Sequence, residues 1–144
     1  MTDITVSTKP LEQALASLNE GITITQSILQ DKKVSDAHKN IMRAGVIQNF
    51  EFCYELSWKT LKRFLELNTS DSALIDKMLY KQIIREGAQY GLIANAERWF
   101  QYRDQRNLTS HTYHAATAES VYKSAIQFYL DAMDLLHKLK SKQR

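Results

Sequence analysis

The residues of this chain best suited to chemistry are concentrated in one short segment, Arg106–Tyr113 (RNLTSHTY). The segment supplies a guanidinium, a carboxamide, an imidazole, a phenol and three hydroxyl groups. If the segment is helical, its spacing predicts that Arg106, Ser110 and Tyr113 lie almost on one line. A planar cation, an imidazole and a phenol on one patch of surface are suited to phosphate chemistry. The adjacent stripe of the same helix would contain Asn107, His111 and His114.

Two interpretations of this segment follow from its residue types. Arg106 is always charged and can hold a phosphate through two hydrogen bonds, and His111 can exchange a proton near neutral pH. Such a pair could cleave RNA without a metal, with His111 acting on the 2′-hydroxyl or the leaving oxygen and Arg106 stabilising the charged phosphorane. One pair is sparse for an enzyme, although a symmetric dimer could place two copies across one cleft. The alternative, of equal weight from spacing alone, is a solvated polar face with one buried tyrosine.

Other constellations carry weaker signals. His111 and His114 form an H-x-x-H pair, but a metal site needs three or four ligands and Glu119 is the nearest acid downstream. No phosphate-binding glycine loop and no serine-centred elbow occur in the sequence. Paired acidic residues that would hold magnesium for nucleotidyl transfer are also missing in any recognisable form. We therefore expect no metal site here and no nucleotidyl transfer by this chain alone.

The remaining motifs are most simply structural. An aromatic run on the predicted second helix falls largely on its inner stripe, which favours core packing, while Phe52 lies off that stripe. Glu51, Glu55 and Lys59 are spaced by four and predict a solvated ion-pair ladder that contributes little stability. A functional role for this ladder would require it to face another subunit. His38 and His137 are isolated and are expected at the surface.

Composition limits the class of protein. The chain has 144 residues, 44% of them hydrophobic and 24% charged, which predicts a single globular domain spanning residues 1–144. A net charge of +3 is compatible with a phosphate-bearing ligand and is far from that of a protein that coats DNA. Cys53 is the one cysteine, so an internal disulfide is excluded. Neither a signal peptide nor a membrane-spanning segment is visible, and we expect a cytoplasmic location.

Apolar residues recur at helical spacing along nearly the whole chain, whereas only four glycines and one proline are available for turns. The fourth predicted helix starts near Asn95 and carries Trp99, Tyr102 and the Arg106–Tyr113 segment. The sequence predicts an all-α fold, an antiparallel four-helix up-and-down bundle with an additional short helix. The other predicted helices are a first one with its stripe from Leu11 to Leu29, a second from His38 to Leu67, a third from Ser72 to Gly87 with Ile75, Leu79 and Ile83 inward, and a last one from Thr117 towards Leu139.

Two blocks of sequence resemble a known family. Gly45–Lys62 (GVIQNFEFCYELSWKTLK) and Arg106–Tyr113 are similar to the nucleotidyltransferase substrate-binding proteins, small helical proteins related to the HEPN superfamily. The segments Lys81–Gly87 and Gly91–Ile93 also fit, so the resemblance covers nearly the whole chain. It implies a two-component system in which a separate minimal nucleotidyltransferase holds the nucleotide and magnesium. It also implies a homodimer of this chain that associates with the catalytic subunits.

The HEPN relatives imply a second activity. Their motif, an Arg followed after four to six residues by a His and often with Asn after the Arg, matches Arg106, Asn107 and His111. Many such proteins are metal-independent ribonuclease toxins, and in one branch the partner enzyme silences the toxin by adenylylating a Tyr two residues past the His. Tyr113 occupies that position, whereas His114 stands where an acidic residue is expected.

Two functions therefore remain open from the sequence, with a purely structural helical adaptor as a third interpretation. The first is a substrate-binding subunit, with Arg106, Asn107, Ser110, His111 and Tyr113 lining its site and no cofactor in this chain. The second is a ribonuclease of a toxin–antitoxin pair, with Arg106 and His111 as catalytic residues, RNA as its substrate and Tyr113 as the modified residue.

Overall fold

The computed structural model describes residues 5–143, which contain six α-helices, one 3₁₀ turn and no β-strand. Three long helices pack against one another and enclose most of the core, and the shorter ones cover one side of it. The all-α bundle predicted from the apolar spacing is therefore confirmed. No helix in this part of the chain is long and apolar enough to cross a membrane. The helices are α1 (Lys9–Leu29), α2 (Asp36–Leu67), α3 (Ser72–Asp76), α4 (Tyr80–Gln89), α5 (Ala96–Asn107) and α6 (Ala115–Lys142).

The directions of the long helices follow from contacts at their ends. Near the start of α1, Glu12 accepts a 2.7 Å hydrogen bond from the ammonium group of Lys140 near the end of α6. The backbone N–H of Val6 likewise donates to the side chain of Gln143 at 2.8 Å. Helices α1 and α6 are therefore antiparallel. Because a short connection also makes α1 and α2 antiparallel, the N-terminal ends of α2 and α6 lie at the same end of the bundle.

Helix α2 supplies the aromatic core, as its inner stripe predicts. Ser35 caps the helix by accepting a 3.1 Å hydrogen bond from the N–H of His38. Phe50 is fully buried and meets Phe128 of α6 edge-on, with 5.2 Å between ring centroids. Phe52, which lies off the stripe, is 63% exposed. Most of the aromatic run is thus core, as expected, while Trp58 is half-buried.

The single third helix expected from Ser72 to Gly87 is wrong, because it is two helices, α3 and α4. The Asp76 carbonyl accepts a 3.2 Å hydrogen bond from the side chain of Lys62. Leu79 adopts an extended conformation, and its N–H donates to the side chain of Gln82 at 2.8 Å, which starts α4. Leu79 is 73% exposed and does not belong to the inner face, whereas Ile75 and Ile83 do.

The fourth helix also ends earlier than predicted. Helix α5 ends at Asn107, and Thr109–His111 form a 3₁₀ turn that leads into α6. The hydroxyl of Thr109 donates to the carbonyl of Arg106 at 2.8 Å, and that of Thr112 donates to the carbonyl of Thr109 at 3.2 Å. Hydroxyls that bond nearby backbone carbonyls compete with the regular helical pattern. The two helical stripes predicted through Arg106–His114 therefore do not exist.

An ion pair fixes α5 against α6. The guanidinium of Arg98 donates two hydrogen bonds of 2.8 Å to the carboxylate of Asp131. The hydroxyl of Tyr102 donates to the same carboxylate, and burial together with this bond raises the pKa of Tyr102. Because Arg98 and Tyr102 lie one turn apart on α5, the carboxylate sets the orientation of the helix that carries Arg106.

Candidate functional site

Arg106, in the last turn of α5, is held by two carboxylates of α2. Its Nε lies 3.2 Å from Oε1 of Glu55, and a terminal guanidinium nitrogen lies 3.3 Å from Oε1 of Glu51. Lys59 pairs with the other oxygen of Glu55 at 3.7 Å. The solvated ladder predicted for α2 is therefore only partly right, because Glu51 and Glu55 orient an arginine of the same chain. A guanidinium has five N–H donors, so two such contacts leave donors for a ligand.

Arg106 and Asn107 line a cleft of about 350 Å³ between α2, α4 and α5. Arg103 contributes a second guanidinium, which lies over the ring of Tyr80 at 5.3 Å from its centroid. Burial raises the pKa of Tyr54 to about 12 and raises that of Tyr80 further, so both phenols are neutral at physiological pH. The cleft thus combines two arginines with neutral aromatic walls. Its lining is completed by Glu55 and Trp58.

The turn after α5 presents its polar side chains to solvent. Ser110 and His111 are exposed, and Tyr113 is 77% exposed. The ring of Tyr113 lies near two imidazoles, with centroids 6.3 Å from His111 and 4.3 Å from His114. The tyrosine that the solvated-face interpretation expected to be buried is therefore freely accessible to another protein.

A second cleft, of about 560 Å³, opens on the other side of this turn, between the N-terminal ends of α2 and α6. Tyr113 and Thr112 form part of its wall, and Arg43 of α2 supplies a guanidinium. Two neighbouring clefts thus replace the single site expected around Arg106 and His111. Arg106 and Asn107 belong to the first cleft and Tyr113 to the second, whereas Ser110 and His111 line neither.

Several of these residues were missed in the sequence. Arg43 and Arg103 stand in ordinary amphipathic helices, and no motif distinguishes them from other surface cations. Glu51 and Glu55 did give a signal, the spacing of four, but their partner lies 51 residues from Glu55 along the chain. Within residues 5–143, no group of three His, Cys, Asp or Glu side chains is placed to hold a metal ion.

The fold and the site define a class of protein, a helical bundle that displays a polar turn between two clefts. The profile of the family described as nucleotidyltransferase substrate binding protein like matches residues 7–141. The chain belongs to this family, as its two sequence blocks predict.

Known proteins show the same relationship. The chain is 36% identical over 138 residues to a Haemophilus influenzae protein named probable ribonuclease HepT, and the match covers 93% of this chain and 92% of the relative. The solved structure of the Haemophilus influenzae protein HI0074, described as revealing the fold of a substrate binding domain of a nucleotidyltransferase, superposes with a TM-score of 0.88. Its identity is 34%, over 93% of this chain and 99% of that one. A crystal structure of a Thermus thermophilus protein is 25% identical over 90% of this chain and 98% of that one, with a TM-score of 0.69.

Proposed function

We propose that this chain is the helical subunit of a two-component nucleotidyltransferase and that it presents the turn Ser110–Tyr113 to a separate catalytic chain. The observation that carries the proposal is Tyr113, a phenol 77% exposed in a short turn rather than packed on a helix. An acceptor hydroxyl must enter the active site of the enzyme that modifies it, and an exposed turn allows this approach. The nucleotide and its magnesium are then expected on the partner, and the complex in the cytoplasm.

The same proposal includes a homodimer formed along α2. Ile41 is 71% exposed and Phe52 is 63% exposed, and Gly45 lies between them on the same helix face with open space above it. Large apolar side chains aligned on one exposed face mark an interaction surface, and a two-fold axis would bury the face against its own copy. Phe52→Lys is expected to convert the dimer to a monomer in light scattering, whereas a dimer unchanged by this substitution would rule out this face.

Mass spectrometry of the intact protein tests the presentation of Tyr113. After co-expression with the nucleotidyltransferase expected to be encoded beside it, the chain should co-purify with that enzyme and gain one or more AMP-sized additions. Tyr113→Phe should abolish the additions. Tyr90→Phe is the matched control, since Tyr90 is also exposed but donates its hydroxyl to the carbonyl of Asn68. A stable complex without any addition would instead favour a subunit that binds a small-molecule substrate.

A second candidate function is metal-independent ribonuclease activity, and the geometry of Arg106 favours it. The two carboxylates hold this guanidinium in one orientation, and Asn107 and Arg103 lie in the same cleft. His111 would take the proton of a 2′-hydroxyl as that oxygen attacks phosphorus, the 5′-oxygen would leave as a hydroxyl with a proton from water, and Arg106 would stabilise the pentavalent phosphorane. A homodimer would bring two such sets to one RNA strand. The relative named probable ribonuclease HepT supports this candidate.

Expression of the chain without its partner tests the ribonuclease. Wild type should arrest growth and degrade RNA, and Arg106→Ala or His111→Ala should restore both growth and intact RNA. Arg63→Ala is the matched control, because Arg63 lies on α2 and pairs with Glu66 away from both clefts. Growing cells that contain folded wild-type protein and intact RNA would remove the candidate.

A further inference from the structure

The larger cleft has the composition of a site for a small, partly polar ligand. Its volume of about 560 Å³ falls in the range of pockets that bind such molecules. Ile47 and the small side chains of Ala44 and Ala118 form an apolar wall that could accommodate a flat ring. The polar groups around this wall belong to Asp36, Asn40, Arg43, Thr112, Tyr113 and Glu119.

Arg43 is the cation of this cleft. One of its guanidinium nitrogens donates to the side-chain oxygen of Asn40 at 3.0 Å, and no carboxylate within residues 5–143 forms an ion pair with it. Glu119 is paired with Lys123 at 3.4 Å. Arg43 thus keeps several donors for a ligand, whereas two carboxylates engage part of the Arg106 guanidinium.

The N-terminal ends of two helices lie at this cleft, and their dipoles oppose the negative charges of Asp36 and Glu119. Ala115 begins α6 and lines the cleft, and no described side chain caps the free N–H groups of that first turn. The N-terminal end of α2 lies beside it, where the positive end of the helix dipole favours the carboxylate of Asp36. Free N–H donors next to an arginine form an arrangement that binds phosphate groups.

A buried hydroxyl on α6 gives a second indication, one turn beyond Ala118. The hydroxyl of Tyr122 is buried and has no hydrogen-bond partner among the described residues. Burial raises the pKa of Tyr122, and the positive charge of Arg43 opposes the rise. Buried hydroxyls are normally satisfied, so a bound molecule is expected to supply a hydrogen bond to this one.

We propose that this cleft binds a nucleoside monophosphate group. Its phosphate would contact Arg43 and the first turn of α6, its base would pack on Ile47 and Ala118, and its ribose hydroxyls would donate to Asp36. The group has two sources, a free nucleotide or the nucleotide attached to Tyr113, and the second rests on the proposed modification. In that reaction Oη of Tyr113 forms a bond to the α-phosphorus of ATP held by the partner, pyrophosphate leaves, and the phenolic proton is lost to solvent.

The free nucleotide is tested with AMP and the purified chain. Millimolar AMP should shift the amide resonances of Ala44, Ala115 and Ala118, and adenosine, which lacks the phosphate, should bind about tenfold more weakly or worse. Arg43→Gln should cause a similar loss, whereas Arg63→Gln should bind AMP as wild type does. If Arg43→Gln does not fold, Ala44→Leu provides a second test. Its larger side chain should fill the space beside the apolar wall without altering charge, and it should abolish the shifts caused by AMP.

The attached nucleotide is tested on chain modified by its partner. The same amides should shift after modification, and a phosphodiesterase should release AMP about tenfold more slowly from wild type than from modified Arg43→Gln. Shifts only in the modified chain would assign the cleft to the attached group, and shifts with AMP alone would support a free nucleotide. Absence of both overturns the proposal. If the partner does not modify Tyr113, the proposed adenylylation is wrong. The binding of free AMP then decides by itself whether the cleft is a nucleotide site.

Discussion

At the scale of single residues, two arginines of this chain have opposite electrostatic settings. Arg106 is bound by Glu51 and Glu55 and is held in one orientation, whereas Arg43 donates to the side-chain oxygen of Asn40 and forms no ion pair within residues 5–143. A fixed guanidinium suits a task in which geometry matters, such as stabilising a phosphorane. A guanidinium without an acidic partner suits the binding of an anionic ligand. The two clefts are therefore expected to differ in role as well as in position.

The double variant Glu51→Gln/Glu55→Gln is expected to impair the proposed ribonuclease activity without lowering the stability of the fold. These carboxylates and Arg106 are each about one-third exposed, so their ion pairs contribute at most about 1 kcal/mol. The free energy of unfolding in urea should therefore change little. Growth arrest by the chain expressed alone should fall strongly, because Arg106 loses its orientation. Equal growth arrest by the double variant and by wild type would show that the carboxylates do not position a catalytic arginine.

At the scale of helices, the sequence predicts which helices exist and which faces they bury better than it predicts where they end. The apolar stripes of α1, α2 and α6 are so long that the burial of these side chains is enough to specify a helix. Their inner residues belong to the core, as expected. The end of α5 depends instead on hydroxyl groups of Thr109 and Thr112 that bond backbone carbonyls. Serines and threonines also occur inside helices, so their presence does not predict this end. Consequently the polar segment Arg106–Tyr113 could be found from the sequence, but its division between two clefts could not.

Alanine substitutions of two helical glycines, Gly87 and Gly21, test how tightly α4 is packed. A Cβ at Gly87 would lie 2.9 Å from Cδ2 of Leu61 and 3.0 Å from Cγ1 of Ile93, both in the core. Gly87→Ala should therefore lower the free energy of unfolding by about 1–3 kcal/mol. Gly21→Ala is the matched control, since Gly21 lies inside α1 and its Cβ would stay at least 3.6 Å from its nearest neighbours, and it should raise stability by about 0.5–1 kcal/mol. Urea unfolding measures both, and a harmless Gly87→Ala would contradict the close approach of α4 to α2.

At the scale of the whole molecule, the three long helices form a frame and the site lies at its edges. Antiparallel α1 brings the N-terminal ends of α2 and α6 together, which creates the larger cleft, while α4 and α5 close the smaller one against α2. This arrangement depends on contacts between residues far apart in sequence, such as Arg98 with Asp131. Spacing within one helix carries no information about such partners, which is why Arg43 could not be recognised from the sequence as a residue lining the larger cleft.

The core also determines how the whole molecule responds to alkaline pH. Burial raises the pKa of Cys53 from 9.0 to about 12, because the thiolate would have to lie in the apolar interior. Above pH 9 the unfolded chain loses this proton while the folded chain keeps it, so the free energy of unfolding falls as pH rises towards 12. Cys53 alone should contribute about 1 kcal/mol per pH unit across this range. The buried phenol of Tyr54, whose pKa is also about 12, adds a similar loss that begins near pH 10.

Cys53→Val isolates the contribution of the thiol, since valine has nearly the same size and no proton to lose. Urea unfolding of both proteins between about pH 8 and 11 should show the variant losing stability less steeply, with the two curves converging or crossing as pH rises. The tyrosines remain in both proteins and cancel in the difference. Parallel curves would mean that the thiol is not desolvated, and that α1 does not cover α2 at Ala14, whose carbonyl accepts the hydrogen bond from Cys53 at 3.2 Å. The same packing of α1 on α2 fixes the end of the bundle where the larger cleft opens. Parallel curves would therefore also argue against the position of Arg43 in that cleft.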